Sequence, residues 1–191
     1  MTLHHERESS PQKPGERLLK GSEFRPAGTI DLEVPDRPGL YAIRVRDRAA
    51  LPAPFNIISE SRDTDLLYIG IAATSLKRRF LAQELRGRGH GTLFRSIGAM
   101  LGYRPPTGSL IGKGNMRNYK FTPSDSQEII GWIDSNLIVN WIEFSGAHAV
   151  EESELIKTNL PLLNLQGNPV RLGELSALRA ECVRIANAES M

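Results

Sequence analysis

The sequence predicts an α/β fold: a small central, mainly antiparallel three-stranded sheet flanked by helices, with an added C-terminal helix. Three observations carry this expectation. Two short apolar runs, 39–46 (GLYAIRVR) and 66–71 (LLYIGI), have the length and residue types of strands. A third, 137–144 (LIVNWIEF), is rich in β-branched and aromatic residues. The segments between and after them carry apolar residues at helical spacing, and strands interspersed with helices form sheets that the helices cover.

In chain order, residues 1–24 read as a flexible N-terminal tail, polar and aperiodic with Pro11 and Pro14. Residues 25–191 read as one domain, because 191 residues hold one ordinary core. The adjacent His4 and His5 lack the fixed geometry of a metal site. Residues 39–46 alternate apolar and polar after Pro35 and Pro38, as a half-buried strand does. Residues 47–65, with Pro52, Pro54 and a polar SESRDTD run, read as a long connection to the second strand at 66–71. The short spacing favours an antiparallel hairpin.

Thr74 and Ser75 then cap a helix, LKRRFLAQELR, with Leu76, Phe80 and Leu85 on one face and Gly87 at its end. Gly91 or Thr92 opens a second helix, apolar at Leu93, Ile97, Met100 and Leu101 with Arg95 off that face, stopping at Gly102 before Pro105 and Pro106. The glycine-rich stretch through Asn118 reads as loop. Thr122-Pro123-Ser124-Asp125 begins a third helix leading to the strand at 137–144. A helix over 147–159 ends at Pro161, LLNLQGNP forms a turn or extended segment, and 171–187 is the C-terminal helix.

Composition narrows the function classes. Hydrophobic residues make up 40% and charged residues 24%, values that suit a globular chain. A single cysteine, Cys182, excludes a disulfide scaffold, and with no apolar h-region at the N-terminus a cytoplasmic location is expected. No apolar run approaches the roughly 20 residues of a membrane helix, so no membrane partner is expected. The net charge of +2 hides an asymmetry. Residues 71–121 hold ten Lys and Arg against one acid, Glu84, whereas 122–160 hold seven acids against Lys157. Such a pattern suits a nucleic-acid binder with an acidic segment free for another task, such as a metal ligand, or simply two solvated faces of opposite sign.

Four short motifs occur in order: Gly39-Leu40-Tyr41, Tyr68-Ile69-Gly70, Leu76-Lys77-Arg78-Arg79, and Glu152 followed by Leu155-Ile156-Lys157 and Pro161-Leu162-Leu163-Asn164. Their placement on strand, strand, helix and helix resembles the GIY-YIG nuclease superfamily across residues 38–168. The longer interval of 27 positions between Tyr41 and Tyr68 is similar to a bacterial single-domain subgroup with an extended loop between the tyrosine motifs. The resemblance implies an endonuclease that hydrolyses DNA phosphodiester bonds with one Mg²⁺ or Mn²⁺ ion; RNA stays open as a substrate. It implies Tyr41 as general base, Tyr68 as its hydrogen-bonded partner or a phosphate ligand, Arg79 as transition-state stabiliser and Glu152 as metal ligand. Gly39, Gly70 and Asn164 support them, Asn164 by orienting Glu152 or a water, or simply by forming a turn.

The residue types suit that chemistry. Phosphodiester cleavage needs an activated water, charge neutralisation around phosphorus and help for the leaving oxygen. A tyrosine with a reference pKa near 10 becomes a base only beside a cation, which Arg79 supplies. Glu151 and Glu154 compete with Glu152, but neighbouring helical positions point apart. Many family members carry a lysine directly after YIG; here Ile71 stands there, and His90, Lys77 or Arg95 are the candidates to replace it. His148, four residues before Glu152, has spacing compatible with a second ligand. Lys77, Arg78, Arg86, Arg88 and Arg95 are candidate backbone-phosphate contacts. GSLIGKGN falls short of a phosphate loop, so no nucleotide cofactor is expected. No appended reader is visible, which points to structure-selective cutting or to a targeting protein partner, and a homo-oligomer is a further expectation. The rival class is a catalytically inactive nucleic-acid-binding or partner-interaction module in which Ile71 marks lost chemistry.

Overall fold

The computed structural model describes residues 13–189; the first half of the expected tail, with His4 and His5, lies outside them. The sheet is antiparallel throughout, with order β1-β4-β2-β3, formed by β1 (Arg25–Pro26), β2 (Gly39–Val45), β3 (Leu66–Ala72) and β4 (Leu137–Glu143). The three expected strands are present, and the two-residue β1 adds a fourth at the β4 edge. Seven helices of α or π type surround the sheet among the described residues. They are α1 (Pro14–Leu18), α2 (Phe55–Ser61), the π-helix Lys77–Leu85, α3 (Thr92–Met100), α4 (Pro123–Asn136), α5 (His148–Asn159) and α6 (Gly173–Asn187).

Residues 13–24, expected as tail, are instead ordered around α1. Leu18 is fully buried with Leu40, Ala42, Ile69, Leu155 and Ile156, so the second face of the sheet is sealed by α1 and α5. This cover changes the reading of β2. The central strand is buried on both faces rather than half-buried, because the larger core on its other side already takes Tyr41, Ile43 and Val45. The long connection between β2 and β3 holds α2, whose Phe55 enters that larger core.

Local chemistry sets the ends. Thr122 Oγ1 accepts the Asp125 N–H at 3.1 Å and Pro123 stands in the first turn, which starts α4 where the sequence predicts it. β3 is an edge strand, and its outer backbone groups are taken by the 162–164 segment. Leu162 N–H donates to Leu66 O at 3.0 Å and Leu163 N–H to Leu67 O at 2.8 Å. The edge is thereby closed to other strands, and the strand that carries Tyr68 and Gly70 is held in place.

Candidate active site

Register brings the two tyrosines to one face. In the β2–β3 hairpin Tyr41 pairs with Gly70 and Ile43 with Tyr68, so Tyr41 and Tyr68 stand on the same side of the sheet. Their rings stack at 6.3 Å, and Phe80 from the π-helix stacks on Tyr41 at 4.7 Å. Gly70 makes this possible: a Cβ there would lie 2.5 Å from Tyr41 Cζ and Oη. Gly39 does the same for the neighbouring strand, since a Cβ would collide with the Ile142 carbonyl.

The helix after β3 is π-wound, so each residue lies beside the one five positions on. Arg79 uses that spacing. Its Nη2 meets Glu84 Oε1 at 2.9 Å, and its Nη1 donates to Gln83 Oε1 at 3.0 Å. Glu84 is fully buried, and its other oxygen accepts the Leu93 N–H at 2.7 Å, at the N-terminus of α3 where a carboxylate is favoured. One carboxylate thus fixes the arginine and starts the next helix. The sequence reading assigned Glu84 no role; the available signal was that it is the single acid in residues 71–121, five positions from Arg79.

Glu152 reaches the cluster from α5, which packs on β3. Its half-buried carboxylate lies near the Ile71 N–H and in the field of Arg79, while its charge acts on both tyrosines. The competitors separate as expected: Glu151 lies near Gly15 of α1 and Glu154 is exposed.

Charge states follow from burial. Burial, then the Glu84 charge, pushes both tyrosine hydroxyls above the ordinary range, and Arg79 only partly opposes this, so both are protonated at neutral pH. Burial also disfavours the Arg79 cation, but Glu84 and the two tyrosines outweigh it and raise its pKa. The guanidinium also donates toward the Tyr41 hydroxyl. Burial raises the Glu152 carboxyl, with Arg79 and the Ile71 N–H pulling it back.

Residues 39–181 match the family model of the GIY-YIG catalytic domain, a span that contains every group just described. The chain belongs to the GIY-YIG catalytic-domain family. Such a domain implies a nuclease. No curated protein and no solved structure matches the chain.

Around this GIY-YIG core, several expected contacts take other parts. Asn164 is bound to backbone: its amide accepts the Ile69 N–H and donates to Ile69 O, both at 2.9 Å, completing the closed edge of β3. Arg86 is bound internally, in ion pairs with Asp31 at 2.6 Å and Asp134 at 2.9 Å and a hydrogen bond to Ala27 O, and it leaves no guanidinium face for a phosphate. Arg95 is buried rather than displayed, because the carbonyls of Gly91, His90 and Arg117 and the Asn118 side chain accept its protons. His90 does not join the tyrosines; it lines a separate cavity with Lys113 and Lys120, and burial, then the Lys120 and Arg95 charges, hold its pKa down. His148 is engaged by the Phe144 carbonyl at 2.5 Å.

Lys77, Arg78 and Arg88 are exposed. A cleft of about 300 Å³ opens beside Arg79, lined also by Ile71, Thr74, Ser75, Arg78 and Gln83. Ile71, at the position where many family members carry lysine, forms part of its wall. Among the described residues no group of three or more His, Cys, Asp or Glu converges to hold a metal ion. A lone half-buried carboxylate, Glu152, fits a hard ion that keeps most of its water, the habit of Mg²⁺, and does not fit a fully protein-ligated ion such as structural zinc.

Proposed function

We propose that the chain is a divalent-metal-dependent endonuclease that hydrolyses DNA phosphodiester bonds. The observation that carries this reading is that Tyr41, Tyr68, Arg79 and Glu152, drawn from two strands and two helices, lie within one another's electrostatic reach, with Arg79 in the wall of a cleft. Glu152 holds one Mg²⁺ or Mn²⁺ ion. When bound, the ion supplies Lewis-acid charge neutralisation at the phosphate oxygens. Arg79, pinned by Glu84 and Gln83, stabilises the charge that builds on phosphorus without reorganising, and is worth more for being partly shielded from water. Tyr41 accepts the proton of the attacking water. Its buried hydroxyl needs positive charge close by to lose its own proton; Arg79 supplies it, and a cation held by Glu152 would add to it. Tyr68 packs beside it, holding the phenol ring and offering a hydroxyl to the phosphate. Arg78, in the cleft wall, and the exposed Lys77 hold flanking backbone phosphates.

The test is cleavage of plasmid and oligonucleotide DNA by the wild-type chain and by Glu152→Gln, with Mg²⁺, Mn²⁺ or EDTA. Metal-dependent products lost in the variant, with DNA binding retained, are expected. Cleavage that persists in Glu152→Gln rejects the metal assignment. Salt-sensitive binding with no product from any substrate rejects the hydrolase and leaves the binding module in which Ile71 has replaced a needed lysine.

A further inference from the structure

Away from the catalytic cleft, α3, α6 and the 103–123 segment enclose two adjoining cavities. One, of about 580 Å³, is walled by Arg95, Arg117 and Arg179 with Asn115 and Asn118, and has no carboxylate in its lining. The other, of about 540 Å³, is largely apolar, with Pro106, Leu110 and Phe121 in its wall and Lys113 and Lys120 at its lining. Asn115 and Asn118 line both, so the cavities meet there.

The arginines are built in. The guanidiniums of Arg95 and Arg179 stand over the Tyr119 ring at 5.6 and 5.7 Å. Arg179 donates to Thr92 O at 2.9 Å and Ser96 Oγ at 2.8 Å, while Arg95 is held by carbonyls. Among the described residues neither forms an ion pair, and Arg179 Nε has no hydrogen-bond partner. Two like charges, one buried and one half-buried, without an ion-pair partner are stabilised by a bound anion. The site also abuts the catalytic cluster: the Arg179 charge acts on Tyr68, and Gly91, beside His90, lies against the Glu84 carboxylate.

We propose that these joined cavities hold an unpaired nucleotide of the substrate strand, its phosphate on Arg117 and Arg179, with the buried Arg95 adding its charge from behind, and its base in the apolar chamber. The assignment rests on the nuclease reading above. Guanidiniums match phosphate oxygens, apolar walls match a base face, and the Asn115 and Asn118 amides can meet base edges. An inorganic anion leaves the apolar chamber unused. A base stacked in a duplex cannot enter without being flipped out, so the chain selects single-stranded or unpaired regions.

Binding of a fluorescent single strand and of its blunt duplex to the full chain carrying Glu152→Gln, across a salt series, tests this. Arg117→Glu alters an exposed side chain and keeps the carbonyl that Arg95 uses. Ser109→Phe fills the apolar chamber, and Pro106→Trp, at an exposed position of the same wall, replaces it if melting shows Ser109→Phe unfolded. The single strand binds tighter than the duplex, roughly tenfold; Arg117→Glu and the filling variant each weaken it about tenfold, and Arg117→Glu flattens its salt slope by about 0.7. Equal binding of strand and duplex, or filling variants without effect, overturns the proposal while wild-type cleavage leaves the nuclease standing. Thymidine monophosphate binding as tightly as the strand also overturns it, in favour of a free nucleotide. If the wild-type chain neither cuts nor binds any nucleic acid, both readings fall together.

Discussion

At the scale of single residues, the account turns on protonation. Tyr41 is held protonated well above the ordinary tyrosine range, so as pH rises from neutral toward alkaline values the fraction able to act as base grows. Cleavage rates therefore increase with pH at a slope near one on a log scale between about pH 6 and pH 9, and Tyr41→Phe removes that dependence together with most of the rate. A pH–rate profile of both chains checks this. Glu152 must be ionised to hold a cation, and burial raises its carboxyl while Arg79 pulls it back, so cleavage falls as acid protonates it and a higher Mg²⁺ concentration moves that loss to lower pH. Asn164→Ala leaves both Ile69 backbone groups unpartnered in the interior and costs about 3 kcal/mol, measured by denaturant unfolding. The motif order made Tyr41, Tyr68, Arg79 and Glu152 legible. Glu84, Arg86 and Arg95 were not, because their partners are fixed by tertiary placement: Arg86 finds Asp134 48 residues on and Ala27 59 residues back. A sequence read locally assigns such arginines to solvent and hence to phosphate.

At the scale of elements, the hairpin and the π-helix make the site. Gly70→Ala places a methyl group 2.5 Å from the Tyr41 phenol and forces the ring off the cleft. The expected cost is about 1–3 kcal/mol in stability, with a larger loss of cleavage than of DNA affinity; thermal melting and a cleavage assay on the same preparation separate the two. Strands and long helices were legible because apolar and β-branched runs mark the strands and period-3.6 patterns mark the helices, and Thr122-Pro123 marks the start of α4 by chemistry alone. The five-residue α1 and seven-residue α2 are too short to show a period, and tertiary contacts through Leu18 and Phe55 stabilise them. The π winding has no composition of its own. It is visible only once Arg79 and Glu84 are seen paired across five positions.

At the scale of the whole molecule, the charge asymmetry is partly consumed inside the fold. Of the ten basic residues in 71–121, Arg79, Arg86 and Arg104 pair with Glu84, with Asp31 and Asp134, and with Glu181, while Arg95 is buried. Lys77, Arg78, Arg88, Lys113, Arg117 and Lys120 remain exposed to face a polyanion. Duplex binding should weaken steeply with salt, and Lys77→Ala with Arg78→Ala should lower the slope by about 0.9 for each phosphate no longer neutralised, without changing the melting temperature. Among the described residues no helix is long and apolar enough to cross a membrane. The central claim is that Glu152, facing Tyr41, Tyr68 and Arg79, supports metal-dependent strand cleavage. Nicking of supercoiled plasmid by the wild-type and Glu152→Gln chains, with Mg²⁺ or with EDTA, tests it most directly. The account predicts open-circular product from the wild type with Mg²⁺ only and none from the variant; equal nicking by the two chains, or nicking undiminished by EDTA, contradicts it.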